Sequence, residues 1–104
     1  MRGIVVLTTA PDAKTARALA KRLVVERSAA CVSLKEKFVS YYRWKGKVEK
    51  AQEVLLLIKS EKRLFARIKR TLQAAHPYEV PEIISIPIAQ GSSEYLSWLG
   101  ASLK

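Results

Sequence analysis

The sequence predicts a two-layer α+β domain with elements in the order β-α-β-β-α-β and a helix added at the end. Three observations predict it: an apolar, β-branched run at the start, two segments of helical periodicity marked off by proline, and a long hairpin pattern between them. A chain of 104 residues holds one hydrophobic core, so residues 1–104 are read as a single domain. With 49% of the residues apolar, the chain carries enough greasy surface to fold rather than stay disordered.

Gly3 to Thr9 forms the first strand, and its unbroken apolar character suits burial on both faces. Pro11 and Asp12 announce a helix, because proline fits the first helical position and an acid fits the positive end of the dipole. Ala13, Ala16, Ala20, Leu23 and Val24 recur along its apolar side, while Lys14, Arg17 and Lys21 lie on the other. Cys31 to Tyr42 and Val48 to Lys59 are two extended segments around the turn signal Lys45-Gly46-Lys47, which makes an antiparallel hairpin with unusually long arms. Ser60 is placed to cap the second helix, whose stripe is Leu64, Phe65, Ile68, Leu72 and Ala75, and Pro77 stops it with His76 at its end. Val80 to Ile88 is the last strand; Pro81 and Pro87 confine it to an edge, since proline donates nothing to a ladder. Gly91 to Glu94 opens a short final helix expected to bury Tyr95, Leu96, Trp98 and Leu99.

This order is the ferredoxin-like, split βαβ arrangement. Right-handed crossovers put the first and third strands in the middle of the sheet and both helices on one face. The other face, with Ile4 to Leu7 and Val54 to Ile58 apolar throughout, then lacks cover. So does the hairpin with Phe38, Tyr41, Tyr42 and Trp44. A monomer would expose a large apolar patch, which predicts an oligomer with those four aromatics at the interface.

The net charge of +10 raises the question of nucleic acid. Read along the chain, the positives fall in separate groups (Arg17 to Arg22, Lys35 and Lys37, Arg63 to Arg70) and form no continuous basic arm, so no nucleic-acid partner is expected. The RNA-binding strand signature is absent around Tyr41, Tyr42 and Trp44, which favours packing over base stacking. The longest apolar run, Val54 to Ile58, falls far short of the roughly 20 residues that cross a bilayer. The apolar start, Met1 to Leu7, is too short for a signal peptide, and one cysteine makes no internal disulfide; cytoplasm is the expectation.

Few residues offer chemistry. There is no Ser-His-Asp order, glycine-rich phosphate loop or CxxC, so no enzyme is predicted. His76, the only histidine, stands at a helix end near Glu79 and Glu82, which makes these three a candidate metal site; alternatively His76 simply finishes the helix by bonding a carbonyl. Cys31 is a buried small apolar residue, a soft ligand or a reactive thiol. Glu49 and Glu53 share one face of a strand and are expected to pair with Lys or Arg on a neighbour. A closed zinc or copper site wants three or four donors, chiefly His and Cys, and this chain has one of each.

Six segments resemble the CutA divalent-cation-tolerance family in order along almost the whole chain. They are Thr9 to Asp12, Ala29 to Val32, Tyr41 to Glu49, Glu53 to Lys59, His76 to Glu82 and Tyr95 to Trp98. The resemblance implies a homotrimer whose long hairpins pair across subunits, and a link to divalent metals, copper above all, without an established reaction. Relatives proposed to bind copper carry a cysteine at the position of Thr8 and a second histidine at that of Ala75; of that trio this chain keeps His76. The trimer also resembles that of the PII signalling proteins. That likeness leaves open a small-anion or metabolite sensor, with Lys59 and the basic helices holding the anion, or a non-catalytic structural trimer serving as an assembly platform.

Overall fold

A four-stranded antiparallel sheet, whose strands lie side by side in the order second, third, first, fourth along the chain, carries three helices. The computed structural model describes residues 2–104. Its strands are β1 (Gly3–Ala10), β2 (Cys31–Trp44), β3 (Lys47–Glu61) and β4 (Ile84–Pro87), and its helices α1 (Ala13–Val25), α2 (Phe65–Ala75) and α3 (Ser93–Ser102). The first and third strands are central and the second and fourth are edges, as the element order predicts.

Burial alternates along the central strands, so each presents two different faces. Ile4, Val6, Val54, Leu56 and Ile58 point to the helix layer and pack with Leu19 and Leu23 of α1, Ile68 and Leu72 of α2, and Leu99 of α3. Fully burying each such side chain contributes about 1.5–3 kcal/mol. Val5, Leu7, Leu55 and Leu57 face the other way and are half-buried. Pairing in register with Val5 and Leu7, the β4 residues Ile86 and Ile84 extend this open apolar face, and both are exposed.

Several boundaries depart from the sequence reading, each for a local reason. Asp12 is the N-cap of α1 rather than a first-turn acid: its carboxylate accepts from the Thr15 amide at 2.8 Å, which holds its pKa below the usual carboxylate value. Pro11 therefore stands just before the cap. In α1, Leu19 enters the core and Val24 is exposed. Ser60 does not cap α2, because β3 runs on to pair Ser60 with Ile4 and Glu61 with Gly3, and the buried Ser60 hydroxyl donates to the Ser28 carbonyl at 2.6 Å. A 3-10 turn, Lys62–Leu64, then leads into α2 without a side-chain cap. Of the expected α2 stripe, Ala75 is exposed. β4 keeps only four residues of its expected nine-residue strand, because ladder pairing with β1 covers Ile84 to Pro87 alone. In α3, Leu99 and Leu103 are buried, whereas Tyr95 and Trp98 are exposed and stack on one another with ring centroids 5.6 Å apart.

The hairpin turn forms where expected. Lys45 (φ 50°) and Gly46 (φ 80°) both take positive φ, the requirement of the two-residue turn whose twist matches the strands. β1 pairs with β3 only as far as Ala10 opposite Val54, so Lys47 to Glu53 and their β2 partners continue alone as a two-stranded ribbon. Seven residues of strand make this ribbon about 24 Å long. A bulge sits at its base: Lys35 pairs with Leu55 and Phe38 with Glu53, which leaves Glu36 and Lys37 opposite Val54 alone, with Lys37 at φ 58°. The extra residue reverses the side-chain parity of β2. Cys31, Ser33 and Lys35 share the open face below the bulge; above it, Phe38, Tyr42 and Trp44 do. Tyr41 falls on the opposite side, where the ammonium of its cross-strand partner Lys50 lies 5.7 Å from its ring.

Candidate functional site

At the base of the ribbon, the segment that follows α2 crosses the Thr9 end of β1 and meets the side chains of β3. Pro77 and Pro81 bracket this segment, which runs without helix or strand from His76 to Ile83. His76 is the residue after α2, its amide still bonded to the Leu72 carbonyl at 2.8 Å. Its side chain turns inward and is buried. The Tyr78 amide donates to Nδ1 at 3.2 Å, which leaves the ring proton on Nε2, and Nε2 donates to the Thr9 carbonyl at 2.7 Å. Both nitrogens are thus occupied. Of the two readings of His76, the geometry is that of a side chain finishing the helix and tying it to β1.

Tyr78 continues this network. Its ring lies 4.8 Å from that of His76, and its hydroxyl donates to Glu53 Oε2 at 2.7 Å. Glu53 is only 7% exposed, and desolvation together with this carboxylate pushes the Tyr78 pKa well above the usual phenol value. The expected Lys or Arg partner for Glu53 is therefore replaced by a tyrosine from the post-helix segment. Glu49 stands opposite Tyr42 on the exposed ribbon. The ion pairs of the described residues are Arg22 with Glu26 at 3.9 Å and Arg63 with Glu61 at 3.2 Å, both away from the ribbon.

Ribbon and segment together form a cleft of about 500 Å³. Phe38, Tyr42, Trp44 and Tyr78 give it aromatic walls, and Glu53, Glu79 and Glu82 reach it. Among the described residues no Lys or Arg lines it, although the chain has 19 of them. Glu79 and Glu82 are exposed, and among the described residues no three His, Cys, Asp or Glu side chains group closely enough to hold a metal ion. Cys31 lies elsewhere. It is half-buried opposite Lys59, about 20 Å along β3 from Glu53. The Lys59 ammonium donates to the Ser33 hydroxyl and lies 3.8 Å from Cys31 Sγ, so this lysine is not free on the sheet. Thr8 is fully buried on the helix side, its hydroxyl without a partner among the described residues.

The structure thus brings Glu79 and Glu82 to the same cleft as Phe38, Tyr42 and Trp44, turns the Tyr41 ring to the other side of the ribbon, and keeps Cys31 apart. Glu53 was not among the predicted site residues. Its signal is an acid in mid-strand, directly before the run that turns fully apolar at Val54, which calls for a buried partner.

Comparison with known proteins matches residues 4–102 to the model of the CutA1 divalent ion tolerance protein family. The chain belongs to that family. The Divalent-cation tolerance protein CutA of Thermus thermophilus is 50% identical over 95 residues, 91% of this CutA-family chain and 92% of its own length. The crystal structure of CutA1 from Oryza sativa superposes with a TM-score of 0.97 at 38% identity, over 100% of this chain and 95% of that one. A structure named the periplasmic divalent cation tolerance protein CutA, from Archaeoglobus fulgidus, gives 0.95 at 33% identity over 98% and 99% of the two chains. The mixed α+β architecture of this CutA-family chain is therefore the one seen in its solved relatives. No described helix is long and apolar enough to cross a membrane.

Proposed function

We propose that this chain works as a non-catalytic homotrimer that responds to divalent cations, with the response seated in the cleft at the ribbon base. The ribbon carries this reading. All ten residues from Tyr41 to Lys50 are exposed, and a two-stranded ribbon with nothing packed against it is marginal in water. The open sheet face with Ile84 and Ile86 calls for cover as well. Sister copies laying ribbon against sheet would cover both and close the cleft, in the ferredoxin-like trimer that the family resemblance implies.

The donors within one chain do not fit a closed copper site. His76 has no free nitrogen, Cys31 is remote, and Glu53, Glu79 and Glu82 supply oxygen alone. Oxygen donors suit hard cations, so Mg²⁺, Ca²⁺ or Mn²⁺ is favoured over copper unless a neighbouring subunit adds softer ligands. The single free thiol suits work in a reducing cytoplasm.

Two measurements test the reading. Light scattering at low micromolar concentration is expected to give three times the chain mass; a stable monomer overturns the oligomer and the cleft together. Calorimetric titration with Mn²⁺, Ca²⁺ and Cu²⁺ is expected to show binding that weakens in Glu79→Gln/Glu82→Gln and persists in His76→Gln. Undiminished binding by the double variant removes these carboxylates from the account.

A further inference from the structure

We propose that the outer face of the α1–α2 layer binds the phosphodiester backbone of nucleic acid without reading its sequence. This face lies away from the cleft at the ribbon base. Along the chain the basic residues look dispersed, each group resembling an ordinary solvated helix face. The fold joins two of the groups. α1 and α2 lie side by side, locked where Arg67 Nη2 donates to the Glu26 carbonyl at 2.6 Å and the Thr71 hydroxyl donates to Glu26 Oε1 at 2.9 Å. Residues 12–28 and 61–75 together hold ten Lys and Arg against three acids, which is seven of the chain's ten net positive charges.

Those three acids are already engaged. Asp12 accepts from the Thr15 amide, Glu26 from Thr71 and Ser28, and Glu61 from Arg63. The cations are largely free. Lys14, Arg17 and Lys21 follow one another at spacings of three and four and share a face of α1; Arg67 and Arg70 share the outer face of α2, with Arg63 four residues earlier in the 3-10 turn that leads into it. All six are exposed, and Lys14, Arg17, Lys21 and Arg70 join neither of the ion pairs found among the described residues.

The size of the pad fits a phosphate backbone. Each stripe spans about 10 Å of helix, and packed helix axes lie about 8–10 Å apart. A duplex carries one charge per about 1.7 Å, so one side of a 10 Å length presents about three phosphates. The same face lacks what a bilayer surface requires. Between the cations lie Ala18, Ala66, Gln73 and Ala74, and its only exposed large apolar residues are Val24 and Val25 at the end of α1. Interfacial helices bury Trp, Phe or Leu among the lipids, whereas phosphate contacts need none.

Fluorescence anisotropy of a labelled, mixed-sequence DNA duplex across rising NaCl tests the proposal, with three proteins compared. These are the unmodified chain, the pad variant Arg17→Glu/Lys21→Glu/Arg70→Glu, and a charge-matched control, Lys35→Glu/Lys45→Glu/Lys104→Glu. The unmodified chain is expected to bind with log K falling linearly in log salt. The pad variant is expected to lose about three units of that slope and at least tenfold more affinity than the control. The same three pad positions changed to Gln give a second variant, which is expected to lose the same slope should the Glu variant fail to fold. Equal losses in pad and control variants would reduce the effect to net charge and overturn the assignment. Absence of duplex binding, or binding to phosphatidylglycerol vesicles in its place, overturns it as well.

Discussion

Replacing Tyr78 by Phe removes one oxygen atom and tests whether the network at the ribbon base holds the fold together. The hydroxyl is the donor found for Glu53 Oε2, at 2.7 Å, and the carboxylate it serves is 7% exposed. Hydrogen bonds to charged groups contribute about 1.5–3 kcal/mol, and Tyr78 itself is only half-buried, so the lower figure of about 1.5 kcal/mol applies. For a domain of this size that is a fall in Tm of about 6–12 °C. The pH dependence separates this cause from simple loss of packing. The Tyr78 pKa is raised in the folded chain above its ordinary value of 10.0. Its contribution is therefore fully present below pH 10 and is lost progressively as pH climbs from there toward the folded value. The assay is thermal unfolding of both proteins at one protein concentration, from pH 7 to beyond pH 10. The expected Tm difference is constant up to about pH 9 and then shrinks. A difference below about 2 °C at pH 7, too small for a charge-assisted bond, or one that widens above pH 10, would refute the reasoning.

Three further outcomes are expected. Thr8→Val replaces a fully buried hydroxyl that has no partner among the described residues, and chemical denaturation is expected to show a gain of about 1 kcal/mol. Leu72→Ala opens a cavity between α2 and the sheet at a fully buried position, and the same measurement is expected to record a loss of about 2–5 kcal/mol. Trp44→Asp puts a charge on the aromatic face of the ribbon; light scattering is expected to show dissociation while far-UV circular dichroism stays unchanged, and an intact oligomer would count against the ribbon as interface.

What was legible in the sequence follows the period of each pattern. Strand order came from the succession of elements and the handedness of crossovers, and the turn from Gly46, because both depend on local rules. The register was less visible. Nothing in Glu36 or Lys37 announces a bulge, since lysine has no preference for positive φ; the residue is held there by the pairing on either side of it. Hydrophobicity puts Tyr95 and Trp98 in the core, and helical spacing sets Tyr95 in one row with Leu99 and Leu103, yet Tyr95 is exposed in the first turn of α3, where it stacks on the exposed Trp98. At the site, His76 and Glu79 stood out as rare or clustered donors. The contact between Glu53 and Tyr78 spans 25 residues and depends on where the post-helix segment passes the end of β1, which no periodicity encodes.

The doubled position at Glu36 and Lys37 makes the aromatic side of the ribbon a matter of counting. Trimming one of them would put the arm back into simple alternation with Phe38, Tyr42 and Trp44 still opposite Glu53, Glu49 and Lys47; trimming both would set Phe38 opposite Val54 and carry the three aromatics to the far surface, exchanging them for Val39, Tyr41 and Arg43 without altering one letter of the tip. Loss of one residue here should thus be tolerated and loss of both punished. A descendant that shed both amino acids before Phe38 would present its neighbours with an inverted ribbon.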